Sequence, residues 1–363
     1  MARIHVVSLS AVCLLPFVGI EVRHSLAQSS GPVIPASATQ VIDRTVGETS
    51  EEGTEDSVDS RGWPTMGGSQ FWSDRLHFHG WRIQHNTFTG HHRLLDKSDR
   101  RHAAGSYETC VEKLEQVKQQ RQLPPMKGRA VILLHGLGDS WRAMKGLEQY
   151  INKRGGFEAF NVSYASTRRR MSDHAATLAE VVANLDGITE INFVGHSMGN
   201  IVLRNYLGDL ERANAQPPIP IGRIVMIGPP NQGADLARRL GRDTRLYGLI
   251  AGDSGEELGT QWEQLAAQLA IPKTPFGIIA GGVGGGTMQG NPVIDGTDDL
   301  IVSVEETKLP GAADFMVLPV FHSQLPKDER VHGFTYQFLK TGYFVDLEHA
   351  QPLSVDESTA LPR

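Results

Sequence analysis

The sequence predicts an α/β fold, in which a mostly parallel sheet is covered by helices on both faces. Six short apolar runs have the composition of buried parallel strands: residues 130–134, 160–164, 191–194, 223–227, 276–280 and 315–320. Amphipathic helical segments separate or follow these runs, as at residues 144–151, 175–185 and 328–339. Strands that alternate with helices form a parallel sheet, because each helical crossover returns the chain to the same edge.

The first 27 residues have the pattern of an export signal. Arg3 and His5 precede an apolar run over residues 6–20, and Ser25-Leu26-Ala27 supplies small residues for cleavage. An uncleaved membrane anchor is the alternative, but this run is short for a membrane span. We therefore predict a signal peptide over residues 1–27 and an exported protein, periplasmic or extracellular.

Composition limits the possible domain size, partners and disulfides. The 363 residues, 40% of them hydrophobic, can form the core of one large domain or two smaller ones. A formal net charge of −6 offers no basic surface, so we predict no nucleic-acid partner. Loss of the signal peptide would remove Cys13 and leave Cys110 without a partner, so we expect no intramolecular disulfide.

A linker and an N-terminal extension are predicted ahead of the α/β region. Residues 28–61 are small, polar and increasingly acidic, which is typical of a disordered linker. In residues 62–127 we predict a hairpin and a helix that pack on the core. Residues 81–85 alternate in polarity before a turn at residues 89–90, and Ser106 is placed to cap the helix.

Histidines are concentrated in the extension, where six of the 14 lie between residues 77 and 102. A metal site is one interpretation of this cluster. Their spacing includes neither cysteine ligands nor a His-Glu-x-x-His pair, so we favour a partly buried, aromatic and His-rich hairpin. We predict no metal and no cofactor.

One strand leads directly into a Gly-x-Ser-x-Gly turn. Gly195-His196-Ser197-Met198-Gly199 follows the apolar run 191–194 and precedes the helical segment 201–207. Strand, sharp turn and helix are the context that a nucleophile elbow requires, because the turn raises the serine oxygen clear of the sheet. Glycines two positions either side leave room for the neighbouring backbones. We predict that Ser197 is a nucleophile.

Four motifs together resemble the α/β-hydrolase fold: His-Gly-Leu-Gly at 135–138, the elbow, Gly-Pro-Pro-Asn-Gln-Gly at 228–233 and Asp-Leu-Ile-Val at 299–302. Within that fold, the sequence is similar to bacterial triacylglycerol lipases and to lipase-like, inositol-deacylase-like serine hydrolases. The resemblance covers about residues 128–344. We therefore expect a catalytic domain over residues 128–345 and a flexible tail over residues 346–363.

The resemblance implies a set of site residues. Ser197 would be the nucleophile, and the backbone N–H groups of Leu137 and Met198 would form the oxyanion hole. Several neighbours would pack and hydrogen-bond around the site without transferring protons: His135, Gly136, Gly195, His196 and Gly199.

The general base must follow the nucleophile in the chain, because the order in this fold is Ser, acid, His. His322 comes directly after the last predicted strand, where a loop can reach the nucleophile. His332 falls inside the final amphipathic helix and His349 in a polar tail. We favour His322 as the base and expect a structural role for His332.

The acid is expected in the loop after the strand at 276–280, which holds Asp295, Asp298 and Asp299. Lipases that the chain resembles often place the acid at the start of an Asp-x-x-Val run, and Asp299 has that position. Asp298 is one residue early and is expected to point to solvent, while Asp295 lies further back in a Gly-rich loop. We predict Asp299 as the acid.

A long segment over residues 231–272 has two interpretations. It could be a mobile cap that lines an acyl pocket and contacts a lipid surface, or it could consist of ordinary packing helices. The main functional hypothesis is an exported serine hydrolase that cleaves carboxylic esters, such as lipid or acyl-glycerol esters. Acyl transfer and thioester hydrolysis are alternatives on the same triad, and a non-catalytic surface or polysaccharide-binding module is an alternative from another class.

Overall fold

The computed structural model describes residues 63–64, 68–233, 245–283, 290 and 296–354, and only the backbone of residues 63–64, 69 and 245–251. All of these residues belong to one unit, Val58–Arg363. Several predictions fall outside the described residues: the signal peptide, the linker, Asp295, the first part of the predicted cap and the tail beyond residue 354.

The N-terminal extension forms an antiparallel sheet followed by a helix. Its strands are β1 (Trp63–Pro64), β2 (Trp72–Phe78), β3 (Trp81–Asn86), β4 (His92–Leu95) and β5 (Arg100–Gly105). They are ordered β1-β5-β4-β3-β2, so the predicted hairpin, β3 and β4, is the middle of a larger sheet. Helix α1 (Tyr107–Gln120) begins where Ser106 Oγ accepts a hydrogen bond from Thr109 N, at 3.2 Å.

The histidines of the extension are dispersed over this sheet. The ring of His77 stacks on Phe160 of the α/β region, with 3.9 Å between centroids, and His102 contacts Asp96 at 2.9 Å. Within the described ranges, no group of three or more His, Cys, Asp or Glu side chains could hold a metal ion.

A parallel sheet forms the centre of the α/β region, as predicted. Its strands are β6 (Gly128–Leu134), β7 (Glu158–Val162), β8 (Ile188–His196), β9 (Ile221–Ile227), β10 (Phe276–Gly281) and β11 (Asp314–Leu318). The spatial order is β11-β10-β9-β8-β6-β7, and every neighbouring pair is parallel. All strands therefore end at one edge, where loops can meet.

Helices cover both faces of the sheet. They are α2 (Lys145–Arg154), α3 (Met171–Ala183), α4 (Met198–Arg212), α5 (Arg245–Leu258), α6 (Trp262–Ala266), α7 (Val304–Thr307) and α8 (Glu329–Thr341). Alternate residues of β6 enter different cores: Ile132 packs with α3 and α4, and Val131 with α2 and α8. No helix of the described ranges has both the length and the apolar character to cross a membrane.

The sheet of the extension joins the α/β region at the end of β7. Asp74 of β2 exchanges two hydrogen bonds with Ser163: its N–H donates to Ser163 O at 2.9 Å, and its carboxylate accepts from Ser163 N at 2.7 Å. Ala165 N donates to Ser73 Oγ at 3.3 Å. These bonds take the chain out of the sheet, which is why β7 ends at Val162 and not at residue 164 as predicted. We call residues 163–170, between β7 and α3, the bridging segment.

Both ends of the predicted cap are held by one buried guanidinium. Arg204 of α4 is 1% exposed, and its Nη1 donates to the backbone oxygen and to Oδ1 of Asn231, each at 3.1 Å. Its Nε donates to Ala270 O at 3.0 Å. Between these two points, α5 is kinked at Gly252, where any side chain would overlap Thr167 O of the bridging segment.

Candidate active site

Ser197 occupies the strained turn between β8 and α4. Its backbone has φ of 53° and ψ of −126°, a conformation that is costly for a residue other than glycine. A hydrogen bond from Ser197 N to Ile227 O, at 2.9 Å, ties the turn to the neighbouring strand β9. The side chain is partly exposed, so a substrate could reach its hydroxyl.

The glycines of the elbow allow close backbone contacts. A Cβ on Gly195 would overlap the side-chain oxygen of Asn200, and one on Gly199 would overlap the carbonyl oxygen of Leu134. Asn200 is fully buried, and its Nδ2 donates to Ser197 O at 3.0 Å. Asn200 was not among the predicted site residues, although its position three residues after Ser197 is where a side chain in the first turn of α4 can turn back to the elbow.

Asp299 and His322 are in direct contact. His322 Nδ1 lies 2.7 Å from Asp299 Oδ2, and His322 N donates to Asp299 O at 3.0 Å. The other carboxylate oxygen, Oδ1, accepts hydrogen bonds from Ile301 N at 3.0 Å and from Val302 N at 2.8 Å. Leu300, with φ of 83°, forms the tight turn that brings these two N–H groups back to the carboxylate. The buried carboxylate thus has one oxygen held by the backbone and one directed at the imidazole.

The prediction that Asp298 points to solvent is wrong. Asp298 is 1% exposed, and its Oδ1 accepts a hydrogen bond from Leu300 N at 2.7 Å. Backbone bridges pair Asp298 with Val283 and with Ser303, which draws the residue into the packed base of the loop. The Asp298 carboxylate therefore stabilises the turn at Leu300, whereas the Asp299 carboxylate contacts His322.

His322 lies beside the elbow. Its backbone oxygen is 3.1 Å from His196 Nε2, and the two rings are 4.9 Å apart between centroids. A Cβ on Gly228, the residue after β9, would lie 3.3 Å from His322 Nδ1 and Cε1, a tight contact, and its φ of 52° also favours glycine. Within the described residues no hydrogen bond joins Ser197 Oγ to His322 Nε2. Such bonds are often long before substrate binds.

The loop after β6, residues 136–139, lies directly over Ser197, and we call it the oxyanion loop. A Cβ on Gly136 would lie 3.1 Å from Ser197 Cβ and 3.6 Å from Ser197 Oγ. The N–H of Met198 is the first of α4, and the first amides of a helix have no acceptor within the helix. The N–H of Leu137 makes no hydrogen bond within the described residues. Two backbone donors are therefore available near the nucleophile.

His135 and His196 have the properties of packing residues. Burial lowers the pKa of His135 to about 4, and its ring stacks on Tyr164 with 4.1 Å between centroids. Burial, followed by the nearby His322, holds the pKa of His196 well below its ordinary value. Both imidazoles are therefore neutral near pH 7.

The two other downstream histidines are not brought to the elbow. His332 is buried on α8, with Nε2 2.9 Å from Pro326 O and its ring beside Tyr150. His349 is exposed and contacts Asp346 at 2.7 Å.

Comparison with known proteins agrees with this architecture. Residues 130–268 match the family model described as palmitoyl protein thioesterase. The matched stretch includes Ser197 and ends before Asp299. Together with the parallel strand order and the strained serine elbow, this match decides the fold. The chain has the α/β-hydrolase fold. A search of curated proteins finds no significant match to the sequence.

Three solved structures with the α/β-hydrolase fold illustrate the likeness. The mature lipase BlEst2 of Bacillus licheniformis is 20% identical, over 60% of this chain and 90% of that chain, with a TM-score of 0.44. Phospholipase PlaB from Legionella pneumophila is 20% identical, over 50% and 45%, with a TM-score of 0.38. Est1E from Butyrivibrio proteoclasticus is 16% identical, over 60% and 89%, with a TM-score of 0.39. Since all three TM-scores are below 0.5, the fold assignment rests on the family-model match, the strand order and the serine elbow.

Proposed function

We propose that this protein is an exported serine hydrolase that cleaves carboxylic esters, of the lipid or acyl-glycerol class, through an acyl-enzyme. The observation that carries the proposal is the contact of Asp299 Oδ2 with His322 Nδ1, at 2.7 Å, beside a strained and partly exposed Ser197. A buried carboxylate, an imidazole and a serine hydroxyl at one sheet edge are the groups that acyl transfer to serine requires.

The proposed reaction begins when His322 Nε2 takes the proton of Ser197 as its oxygen attacks the substrate carbonyl. Asp299 keeps the second proton of the imidazole on Nδ1 and stabilises the imidazolium that forms. The N–H groups of Leu137 and Met198 would donate to the oxyanion of the tetrahedral intermediate. His322 then returns its proton to the leaving alcohol, and a water molecule, activated in the same way, releases the acid and restores Ser197.

Burial makes this arrangement effective. Asp299 is inaccessible to solvent, and two backbone N–H groups neutralise part of the charge on Oδ1. Attraction between the carboxylate and an imidazolium is stronger at such a site than in water. Asp299 Oδ2 faces His322, so the carboxylate stabilises the histidine most when the imidazole becomes a cation during the reaction.

A thioesterase is the second candidate, because the family model that matches residues 130–268 is described as palmitoyl protein thioesterase. The same groups serve both reactions, since the acyl-enzyme is identical and only the leaving group differs. A thiolate leaves more readily than an alkoxide, so thioester cleavage would depend less on proton return from His322. Transfer of the acyl group to an alcohol would also start from this intermediate.

Fluorophosphonate labelling tests the proposal. Wild-type protein should be labelled on Ser197, and Ser197→Ala should lose the label and about 10⁴-fold or more in turnover. Matched oxygen esters and thioesters of increasing acyl length then separate the two candidates. His322→Ala should be inactive, while His332→Ala, a buried histidine away from the elbow, should keep most of its activity in the folded fraction. Undiminished labelling of Ser197→Ala would refute the assignment.

Export and the cap are separate parts of the proposal. The apolar run over residues 6–20 supports a mature chain that begins near Gln28. Mass spectrometry of the protein from its native host would contradict this by finding residues 1–27 intact. A contact of the segment 231–272 with lipid predicts that turnover rises when the ester substrate aggregates, and equal rates on dispersed and aggregated ester would oppose it.

A further inference from the structure

The oxyanion loop is a tight turn that is closed by a single, weak hydrogen bond within the loop. Asp139 N donates to Gly136 O at 3.3 Å, which is the long end of the range for such bonds. Gly138, with φ of 74°, supplies the positive φ that the third position of a type II turn needs. Other contacts are therefore needed to keep this turn in one geometry.

The geometry of this turn sets the direction of the Leu137 N–H. Gly136 C=O and Leu137 N–H belong to one planar, trans peptide unit, so the two groups point in opposite directions. While Gly136 O faces Asp139 N inside the turn, the N–H of Leu137 must face outward. Gly136 O also lies 3.0 Å from His135 Nδ1, so His135 holds one side of this peptide. A turn that opens at residues 138–139 would let the peptide tilt about that contact and would move the Leu137 N–H from the oxyanion.

Gln70, from the extension, holds the end of the turn. Its Nε2 donates to Asp139 O at 2.6 Å. Its Oε1 faces the bridging segment and accepts from Ser166 Oγ at 3.0 Å, Thr167 N at 3.3 Å and Thr167 Oγ1 at 3.2 Å. The donors of the bridging segment thus orient the Gln70 amide, which leaves its NH₂ group for the oxyanion loop.

A second link passes through the hydroxyl of Ser166. Gly138 N donates to Ser166 Oγ at 3.1 Å. A serine hydroxyl has a single proton, and this one is donated to Gln70 Oε1, so a lone pair is available for Gly138. Ser166 is fully buried, so bulk solvent does not reach its hydroxyl while Gln70 is in place. One glutamine side chain therefore fixes two points of the oxyanion loop.

We propose that Gln70 is a positioning residue for catalysis, which keeps the Leu137 N–H directed at the oxyanion. The inference rests on the proposed function. It assigns a role to the N-terminal extension, which lies outside the stretch that matches the family model. The extension becomes part of the catalytic apparatus, since its 3-10 turn Ser69–Phe71 carries the residue that supports the oxyanion hole.

Gln70→Ala tests the proposal on a p-nitrophenyl ester and on a trifluoromethyl ketone, which binds serine hydrolases as a tetrahedral oxyanion. We expect kcat to fall about 10- to 100-fold, less than for the outright loss of a donor, with KM changed less than about threefold. Affinity for the ketone should fall by the same factor as kcat/KM. A purely structural role would lower the active fraction without this selective loss.

Asn184→Ala is the matched control. Asn184 Nδ2 donates to Arg75 O of β2 at 3.1 Å, so its loss loosens the same sheet away from the oxyanion loop. This variant should keep kcat and ketone affinity within about twofold of the parent. Equal losses in Asn184→Ala and Gln70→Ala would overturn the proposal, because they would indicate general loosening of the extension.

Gln70→Glu provides an independent test if Gln70→Ala does not fold. Its carboxylate can still accept from Ser166 and Thr167, but it cannot donate to Asp139 O until it is protonated. Activity relative to wild type should therefore be low at pH 8 and rise as the pH falls towards 5. A ratio that does not change with pH would overturn the proposal, as would Gln70→Ala with kcat and ketone affinity within about twofold of wild type. A wild-type protein that fluorophosphonate does not label would instead refute the proposed function itself.

Discussion

Replacement of Asp299 by asparagine should inactivate the enzyme through the wrong tautomer of His322. Ile301 N and Val302 N both donate to Asp299 Oδ1, so the oxygen of an asparagine amide must stay at that position. Its NH₂ group then takes the place of Oδ2, 2.7 Å from His322 Nδ1. The amide donates where the carboxylate accepted, and the imidazole proton moves to Nε2.

The size of the effect follows from this geometry. An imidazole that carries its proton on Nε2 cannot accept the proton of Ser197, and a neutral amide cannot stabilise an imidazolium. A change of this kind in a serine triad lowers kcat by about 10⁴-fold. The side chains have nearly the same shape, so Asp299→Asn should remain folded.

Asp298→Asn is the natural control, because it makes the same chemical change at the adjacent, equally buried residue. Its amide oxygen can still accept from Leu300 N, and its side chain does not contact His322. We expect activity within about tenfold of the parent. Ester hydrolysis, with circular dichroism to verify folding, compares the two variants. More than a tenth of the parent activity in Asp299→Asn, or an inactive Asp298→Asn beside it, would refute the reasoning.

Two further predictions concern stability. Arg204→Met leaves three buried oxygens of Asn231 and Ala270 without their donor, so chemical denaturation should show a loss of about 3–5 kcal/mol in the free energy of unfolding. Arg212→Met, on the exposed side of α4, should lose at most about 1 kcal/mol, and equal losses would show that Arg204 does not hold the two ends of the predicted cap. Burial lowers the pKa of His174 from 6.5 to about 3, so the unfolded chain binds a proton below pH 6.5 that the folded chain refuses. Stability is lost as the pH falls through this window, and His174→Gln should lose about 2 kcal/mol less than the parent between pH 7 and 5 in urea titrations; identical losses would show that His174 is not buried in neutral form.

Local patterns in the sequence were sufficient to predict the parallel sheet and the residues that meet at its edge. Apolar runs separated by amphipathic helices predict a parallel sheet, because strands covered on both faces consist mostly of apolar residues. The Gly-x-Ser-x-Gly turn is equally local, since its glycines are needed for contacts within the elbow and with β6. Ser197, Asp299 and His322 follow the parallel strands β8, β10 and β11, which brings them to one edge of the sheet.

Features that depend on contacts between distant residues were not predicted. Asp298 was predicted to face solvent but is buried, because no periodic pattern in a loop indicates which of two adjacent side chains points inward. One hairpin was predicted where a five-stranded sheet forms. β2 and β5 extend that hairpin through short local turns that were not predicted, whereas β1 pairs with β5 across a long stretch of chain, Trp63 with Arg101.

The sequence alone thus determined which residues follow the parallel strands, because the patterns that predict strands and helices depend only on residues close together in the chain. The tertiary structure decided how the site is held. Gln70 reaches Asp139 across 69 positions, and Arg204 reaches Ala270 across 66. A hydrogen bond of this kind requires only two polar groups that folding brings together, and it leaves no pattern in the chain between them.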